Sequence, residues 1–328
     1  MGNLRDRLRR IHETKKIENE QEKSIKTGDH SDLISLGWKF CGFNVMEREV
    51  KMASSFTDIK SLPFGLSILV RDLSFCKLPQ IKDFLFFDLE TTGLSTGAGT
   101  VAFLAAFGKI ENSELVITQY LLLDYPGVND FLENVLARLK TEDAVIVSYN
   151  GKSYDSQIIK TMCLMNRIKP PLFRHVDLLH PARRLWKTII QDCSQGSVES
   201  KILGISREND IPGALAPEIW FDFLKTANTD RLMGICNHNL SDIYGLSVIL
   251  SVMILIASDL FNTEKICYDT ERLSRSVYAY AYRQMITGSY DTPLFLINKA
   301  INAAEPGTVL YNKLIRRKIH LEKKINKL

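Results

Sequence analysis

The chain has 328 residues, 45% of them hydrophobic, and a formal net charge of +4. That apolar content can fill a sizeable core in one large domain with appendages or in two domains, and the small positive charge admits a nucleic-acid partner without demanding one. Six scattered cysteines (Cys41, Cys76, Cys163, Cys193, Cys236, Cys267) with no C-x-x-C pair argue against a zinc cluster or a disulfide framework and fit a reducing, cytoplasmic setting.

Residues 1–30 are rich in Arg, Lys and Glu and read as a solvated helix or mobile tail, and the opening MGNLRDRLRRIHETKK has no apolar run that would make it a secretory leader. From about 31 to 79 the pattern predicts short strands and turns. DFLFFDLE predicts a strand, and TVAFLAAFGKIENSELVITQYLLL predicts two more around a polar ENSE turn. NDFLENVLARLKTE places Phe131, Leu132, Val135, Leu136 and Leu139 at helical spacing. DAVIVSYN is a buried strand ending at Asn150-Gly151, and DSQIIKTMCLMNR is a helix capped by Asp155 or Ser153. HVDLLHPARRLW is a short strand or turn leading into a basic helix start, and DRLMGICNHNLSDIYGLSVILSVMILIA is a long helix. Its most apolar part, 243–257, is about one turn short of a membrane span and carries Ser247 and Ser251, so a buried helix is expected and no membrane is implied. Beyond about 259 the pattern is helical and ends in the basic NKLIRRKIHLEKKINKL. The expected division is a charged tail with a small strand-rich segment (1–79), an α/β domain with a mixed sheet flanked by helices (80–258), and a helical, basic C-terminal extension (259–328).

Asp88 and Glu90 lie two apart on a strand, so their side chains share a face. Adjacent carboxylates repel and raise each other's pKa, which a divalent, oxygen-preferring cation such as Mg²⁺ or Mn²⁺ offsets. Asp155 stands at a strand-to-helix junction. Asp242 lies on the long helix, with His238 four residues earlier on the same helical face. Four acids can hold two cations about 3.5–4 Å apart for phosphodiester cleavage, one activating water and the other stabilising the leaving oxygen. A histidine beside them, with an ordinary pKa of about 6.5, can take the water's proton. The plainer alternatives are a solvated strand end, an N-cap at Asp155, a simple turn at Asn150-Gly151, and a packed or surface histidine at 238.

FDLETTGL, SYNGKSYD and HNLSD, in that order, resemble the three motifs of the DEDD exonucleases of the ribonuclease H-like superfamily. LSTGAGT, DLLHPARRLW and DIPGALAPEIWFDFL extend the likeness to the YprB-like branch of predicted 3′–5′ exonucleases, over roughly residues 80–255. The resemblance implies a ribonuclease H-like fold and a two-metal 3′–5′ exonuclease acting on single-stranded DNA or RNA. It makes Asp88, Glu90, Asp155 and Asp242 the metal ligands, with Mg²⁺ or Mn²⁺ as two ions. It places Thr91, Thr92, Gly93 and Leu94 around the terminal nucleotide and Asn150 on the strand being cut. One departure stands out. DEDD enzymes carry a histidine five residues before the last aspartate or a tyrosine four before it, and His238 occupies the tyrosine's slot; one residue of helix turns a side chain by about 100°. The alternative is therefore a nuclease-fold module that binds nucleic acid but barely turns over.

Other clusters read as structure first. His175, Asp177 and His180 lack the spacing of a zinc site. Arg183 and Arg184 suit a phosphate contact or an exposed helix face, and the run Arg316, Arg317, Lys318, Lys323, Lys324, Lys327 suits a nucleic-acid backbone or, by default, solvent. Tyr149 and Tyr154 are candidates to stack on a single strand.

Overall fold

The computed structural model describes residues 30–56, 59–73, 78–93, 99–141, 143–207, 210–264, 266–287 and 290–327. The expected N-terminal tail up to residue 29, Leu94 and most of the LSTGAGT loop lie outside the described residues.

After a short helix α1 (Ser31–Ser35), strands β1 (Lys39–Gly42) and β2 (Val45–Ala53) form a hairpin. The next apolar run, expected as strand and turn, is instead a helical turn, α2 (Leu66–Leu69). All four of its residues are buried, and packing on several sides overrides the β preference of such a run. Strands β3 (Phe84–Thr91), β4 (Ala102–Glu111) and β5 (Glu114–Leu122) follow as a meander. The β4–β5 hairpin turns on Asn112 and Ser113 alone, both at positive φ (49° and 66°), the twist-matched geometry of a two-residue loop. Helix α3 (Val128–Leu139) buries the five apolar residues expected of it. Then come β6 (Val145–Ser148), α4 (Asp155–Met165), β7 (Arg174–Asp177), α5 (Leu179–Trp186), α6 (Gln195–Val198), α7 (Ala216–Thr226) and the long α8 (Asp230–Ser258). Helices α9 (Thr270–Thr287), α10 (Asp291–Ala303) and α11 (Val309–Ile325) complete the chain.

Among the described residues the strands form one mixed sheet in the order β1-β2-β5-β4-β3-β6-β7, with β6 parallel to β3 and β7 parallel to β6. Alternation along β3 splits the core. Phe84 and Phe86 pack with α8, α2, α5 and the C-terminal helices; Leu85, Phe87 and Leu89 pack with α3, α4 and α7. The α/β architecture with a sheet covered on both faces and a helical C-terminal region is as expected. The C-terminal helices dock on the α8 side, where Tyr280 meets Phe64 edge-on and the Asp269 amide donates to the Leu185 carbonyl at 2.8 Å. Helix α8 is long and apolar enough to cross a membrane by length and composition, but 67% of its most apolar window is buried inside the protein.

Candidate active site

Asp88 and Glu90 extend the Phe84–Phe86 side of β3, the side that α8 crosses. Glu90 and Asp155 are buried and Asp88 and Asp242 half-buried. The four acids feel one another. Burial raises the Asp88 carboxyl well above the usual range, and Asp242, Asp155 and Glu90 add to it. Glu90 is raised well above its range by burial, then by Asp242, Asp155 and Asp210. Asp155 is pushed up to about 7, mainly by burial, with its backbone hydrogen bond opposing and Asp177 and Asp242 reinforcing. Asp242 is raised by burial, with His238 and Arg207 pulling the other way. The sequence-predicted acids are thus brought together, at an electrostatic cost that a cation would relieve.

Asp155 is the first residue of α4, but Tyr154 is the N-cap and no side chain caps the helix, a correction to the expected Asp155 or Ser153 cap. The carboxylate instead packs over Gly151, where an added Cβ would lie 2.6 Å from Asp155 Oδ2. The neighbouring Asn150 is exposed, at φ 64°, with its amide donating to Asp177 Oδ1 at 2.8 Å.

His238 sits between two carboxylates at one end and a third at the other. Its Nε2 lies 3.2 Å from Asp242 Oδ2 and 4.0 Å from Glu90 Oε1, and its Nδ1 lies 2.8 Å from Asp210 Oδ1. Glu90, His238 and Asp242 each offer a ligand atom within 4.8 Å of the others, the spacing of a metal-binding group. Two carboxylates and an imidazole, backed by two further acids, Asp88 and Asp155, suit Mg²⁺ or Mn²⁺. Gly213 closes over this point, for a Cβ there would stand 2.9 Å from His238 Nε2.

Three residues at the site carry no local mark in the sequence. Arg207 binds Glu199 through Nε and Nη2 (2.7 and 2.8 Å), Asp242 Oδ1 through Nη2 (2.7 Å), and approaches Asp210 at 3.4 Å. Burial works against the Arg207 cation, but Glu199 and Asp242 override it and hold its pKa above the ordinary range. Apart from Arg207 and Asp210, three residues apart, these partners and Asp210 on His238 lie 8 to 35 residues apart in the chain, so the fold is what assembles them. Arg207, Asp210 and His238 also line a cavity of about 420 Å³ beside the acids, with Asn237, Ser241 and Tyr244.

Other candidates are placed as follows. The Thr91 and Tyr154 hydroxyls both lie on the Gly93 carbonyl (2.7 and 2.6 Å) and 2.9 Å from each other, and the Thr92 hydroxyl accepts from the Val101 amide at 2.9 Å, so these groups shape the turn after β3. Tyr149 donates to the Cys193 carbonyl at 2.5 Å. His175 lies between the Ser148 and Ser156 hydroxyls, with burial pushing it down to about 4, while Asp177 accepts from the Asn150, Lys152 and Leu179 amides; both are structural, and His180 is exposed. Arg184 donates to the Leu69 carbonyl, and Arg183 is exposed. In the basic run, Arg317 stacks on Tyr278 and Tyr282, both 4.8 Å away, whereas Arg316, Lys323, Lys324 and Lys327 are exposed.

The profile of the RNase_H superfamily matches residues 85–254, more than half of the chain and the whole set of converging acids. The chain belongs to the RNase_H superfamily. The uncharacterized protein YprB of Bacillus subtilis (strain 168) is 38% identical over 168 residues, which cover 50% of this chain and 40% of YprB, so the match spans well under two thirds of that relative. The expected YprB-like, ribonuclease H-like kinship is therefore met. A solved family B DNA polymerase of the hyperthermophilic archaeon Pyrobaculum calidifontis aligns over 74% of this chain and 46% of its own, at 12% identity and a TM-score of 0.37, too low to bear on function.

Proposed function

We propose that this RNase_H-superfamily protein is a metal-dependent 3′–5′ exonuclease of single-stranded nucleic acid. The observation that carries the reading is the mutual convergence of Asp88, Glu90, Asp155 and Asp242, each with a raised pKa, with His238 set against Asp242 and Glu90. Mg²⁺ or Mn²⁺, as two ions on these four acids, would supply an activated water and stabilise charge on the phosphate. The protein's own contribution is orientation. With Asp210 beside Nδ1, His238 presents Nε2 to Glu90 and Asp242, and in its neutral Nδ1–H form that nitrogen would take a proton from the attacking water. Gly213 keeps that nitrogen accessible at close range. Thr91, Thr92, Gly93, Leu94 and Asn150 are the candidate contacts of the terminal nucleotide, through the turn after β3 and the β6–α4 junction. The exposed Arg316, Lys323, Lys324 and Lys327 are candidates for the phosphate backbone of a longer strand.

One observation favours a second reading, a module that binds nucleic acid without turnover: both Asp242 oxygens are already engaged, Oδ1 by Arg207 and Oδ2 by His238. Substrates labelled at either end separate the two. With Mn²⁺, a 3′-labelled single strand should release labelled mononucleotide at once while a 5′-labelled one shortens stepwise, and duplex should resist. Binding without shortening would support the module, and internal cuts would refute the exonuclease.

A further inference from the structure

Four side chains lie in one row across the sheet. In the strand register Arg48 on β2 faces Gln119 on β5, Gln119 faces Ala106 on β4, and Ala106 faces Asp88 on β3. Directly opposed residues share a face, so all four stand on the α8 side. The small Ala106 leaves a gap above β4, and Asn239 of α8 bridges it. Its Oδ1 accepts from Gln119 Nε2 at 2.9 Å and its Nδ2 donates to Asp88 Oδ2 at 2.7 Å.

This chain of amides runs in one direction only. A guanidinium donates and cannot accept. Arg48 Nη2, 2.7 Å from Gln119 Oε1, therefore fixes which side of that amide is oxygen. The Gln119 nitrogen then gives one hydrogen to the Cys236 carbonyl (2.8 Å) and the other to Asn239. With its oxygen so engaged, Asn239 has only its NH₂ to offer Asp88. Gln119 and Asn239 are fully buried and Arg48 is 9% exposed. Arg48 lies over the Trp38 ring at 4.9 Å, and among the described residues its buried Nε has no hydrogen-bond partner. Burying a cation with a donor unmade is costly, and the row shows what the cation does there.

We propose that Gln119 and Asn239, oriented by Arg48, are positioning residues that aim and hold the Asp88 carboxylate for a divalent cation; this rests on reading Asp88 as a ligand. Arg48 lies outside the superfamily match at 85–254, so the β1–β2 hairpin, besides extending the sheet, serves the site. Outer groups that orient a metal ligand typically change metal affinity 10–100-fold.

The test is Mn²⁺ affinity by isothermal titration calorimetry, with folding checked by circular dichroism and melting, on the full chain. Asp88→Asn reports on the ligand itself and should lose most binding. Asn239→Leu removes the last donor and should bind about 10–100-fold more weakly. Gln119→Glu is nearly isosteric but presents only oxygen, so Asn239 must turn its NH₂ away from Asp88; the same loss is expected. Arg48→Met should weaken binding and Arg48→Lys, another pure donor, should restore it, and this pair decides if Gln119→Glu does not fold. A role in packing alone would lower the melting temperature and leave affinity unmoved. Wild-type affinity in Gln119→Glu and Arg48→Met, with binding lost in Asp88→Asn, overturns the relay and spares the ligand assignment. Wild-type affinity in Asp88→Asn overturns the ligand assignment and the relay with it.

Discussion

Asp88 and Asp242 reach the same cleft with opposite company. Asp88, on the sheet, is met by the neutral amide of Asn239 and by three other acids. Asp242, on α8, has a guanidinium on one oxygen and an imidazole on the other. Among the described residues, Asp88 on the strand half is therefore relieved only by a neutral amide, while burial at Asp242 on the helix half is partly offset by the protein's own Arg207 and His238. The difference teaches which half depends more on a cation: Asp88 and Glu90 stand together on one strand face, and Arg207 and His238 bring their donor groups to Asp242.

The largest effect should come from His238, the group that joins the halves. His238→Ala should lower kcat by about 10²–10⁴-fold with little change in substrate affinity, measured by single-turnover cleavage. An unchanged rate would assign water activation elsewhere and leave the helix half purely electrostatic. Next is Arg207. Arg207→Met strands Glu199, whose side chain is 1% exposed, without its cation, and should cost about 3–5 kcal/mol in denaturant unfolding. The same change frees Asp242 Oδ1, so Mg²⁺ should raise the melting temperature of Arg207→Met by more than that of the wild type. An equal rise would show that Arg207 and the cation do not compete. The smallest effect concerns Asp155. Its folded pKa, about 7, lies above the unfolded value near 3.9, so the folded state binds the extra proton between them. In EDTA its contribution is therefore lost as pH rises from about 4 to 7, and Asp155→Asn should flatten that part of the melting profile. A saturating divalent cation should flatten it as well.

Much of this site was legible because it is local. The two-residue spacing of Asp88 and Glu90 fixes a shared strand face, and the four-residue spacing of His238 and Asp242 fixes a shared helix face. Helix α3 was legible for the same reason, since its five buried residues repeat at helical spacing. What escaped depends on register and on distant partners. Arg48 and Gln119 are ordinary strand residues until β2 is paired with β5, and Glu199, Arg207 and Asp210 become a network only once the segment carrying them crosses α8. The α2 run failed for a related reason, because burial on several sides overruled its apparent β preference.

The central claim is that the strand half works only with a divalent cation. The direct measurement is mononucleotide release from single-stranded DNA and RNA by the wild type and Asp88→Asn, with Mn²⁺ and with EDTA. Release by the wild type with Mn²⁺, abolished by EDTA and absent in Asp88→Asn under all conditions, is the predicted result. Release that persists in EDTA, or in Asp88→Asn with Mn²⁺, would contradict it.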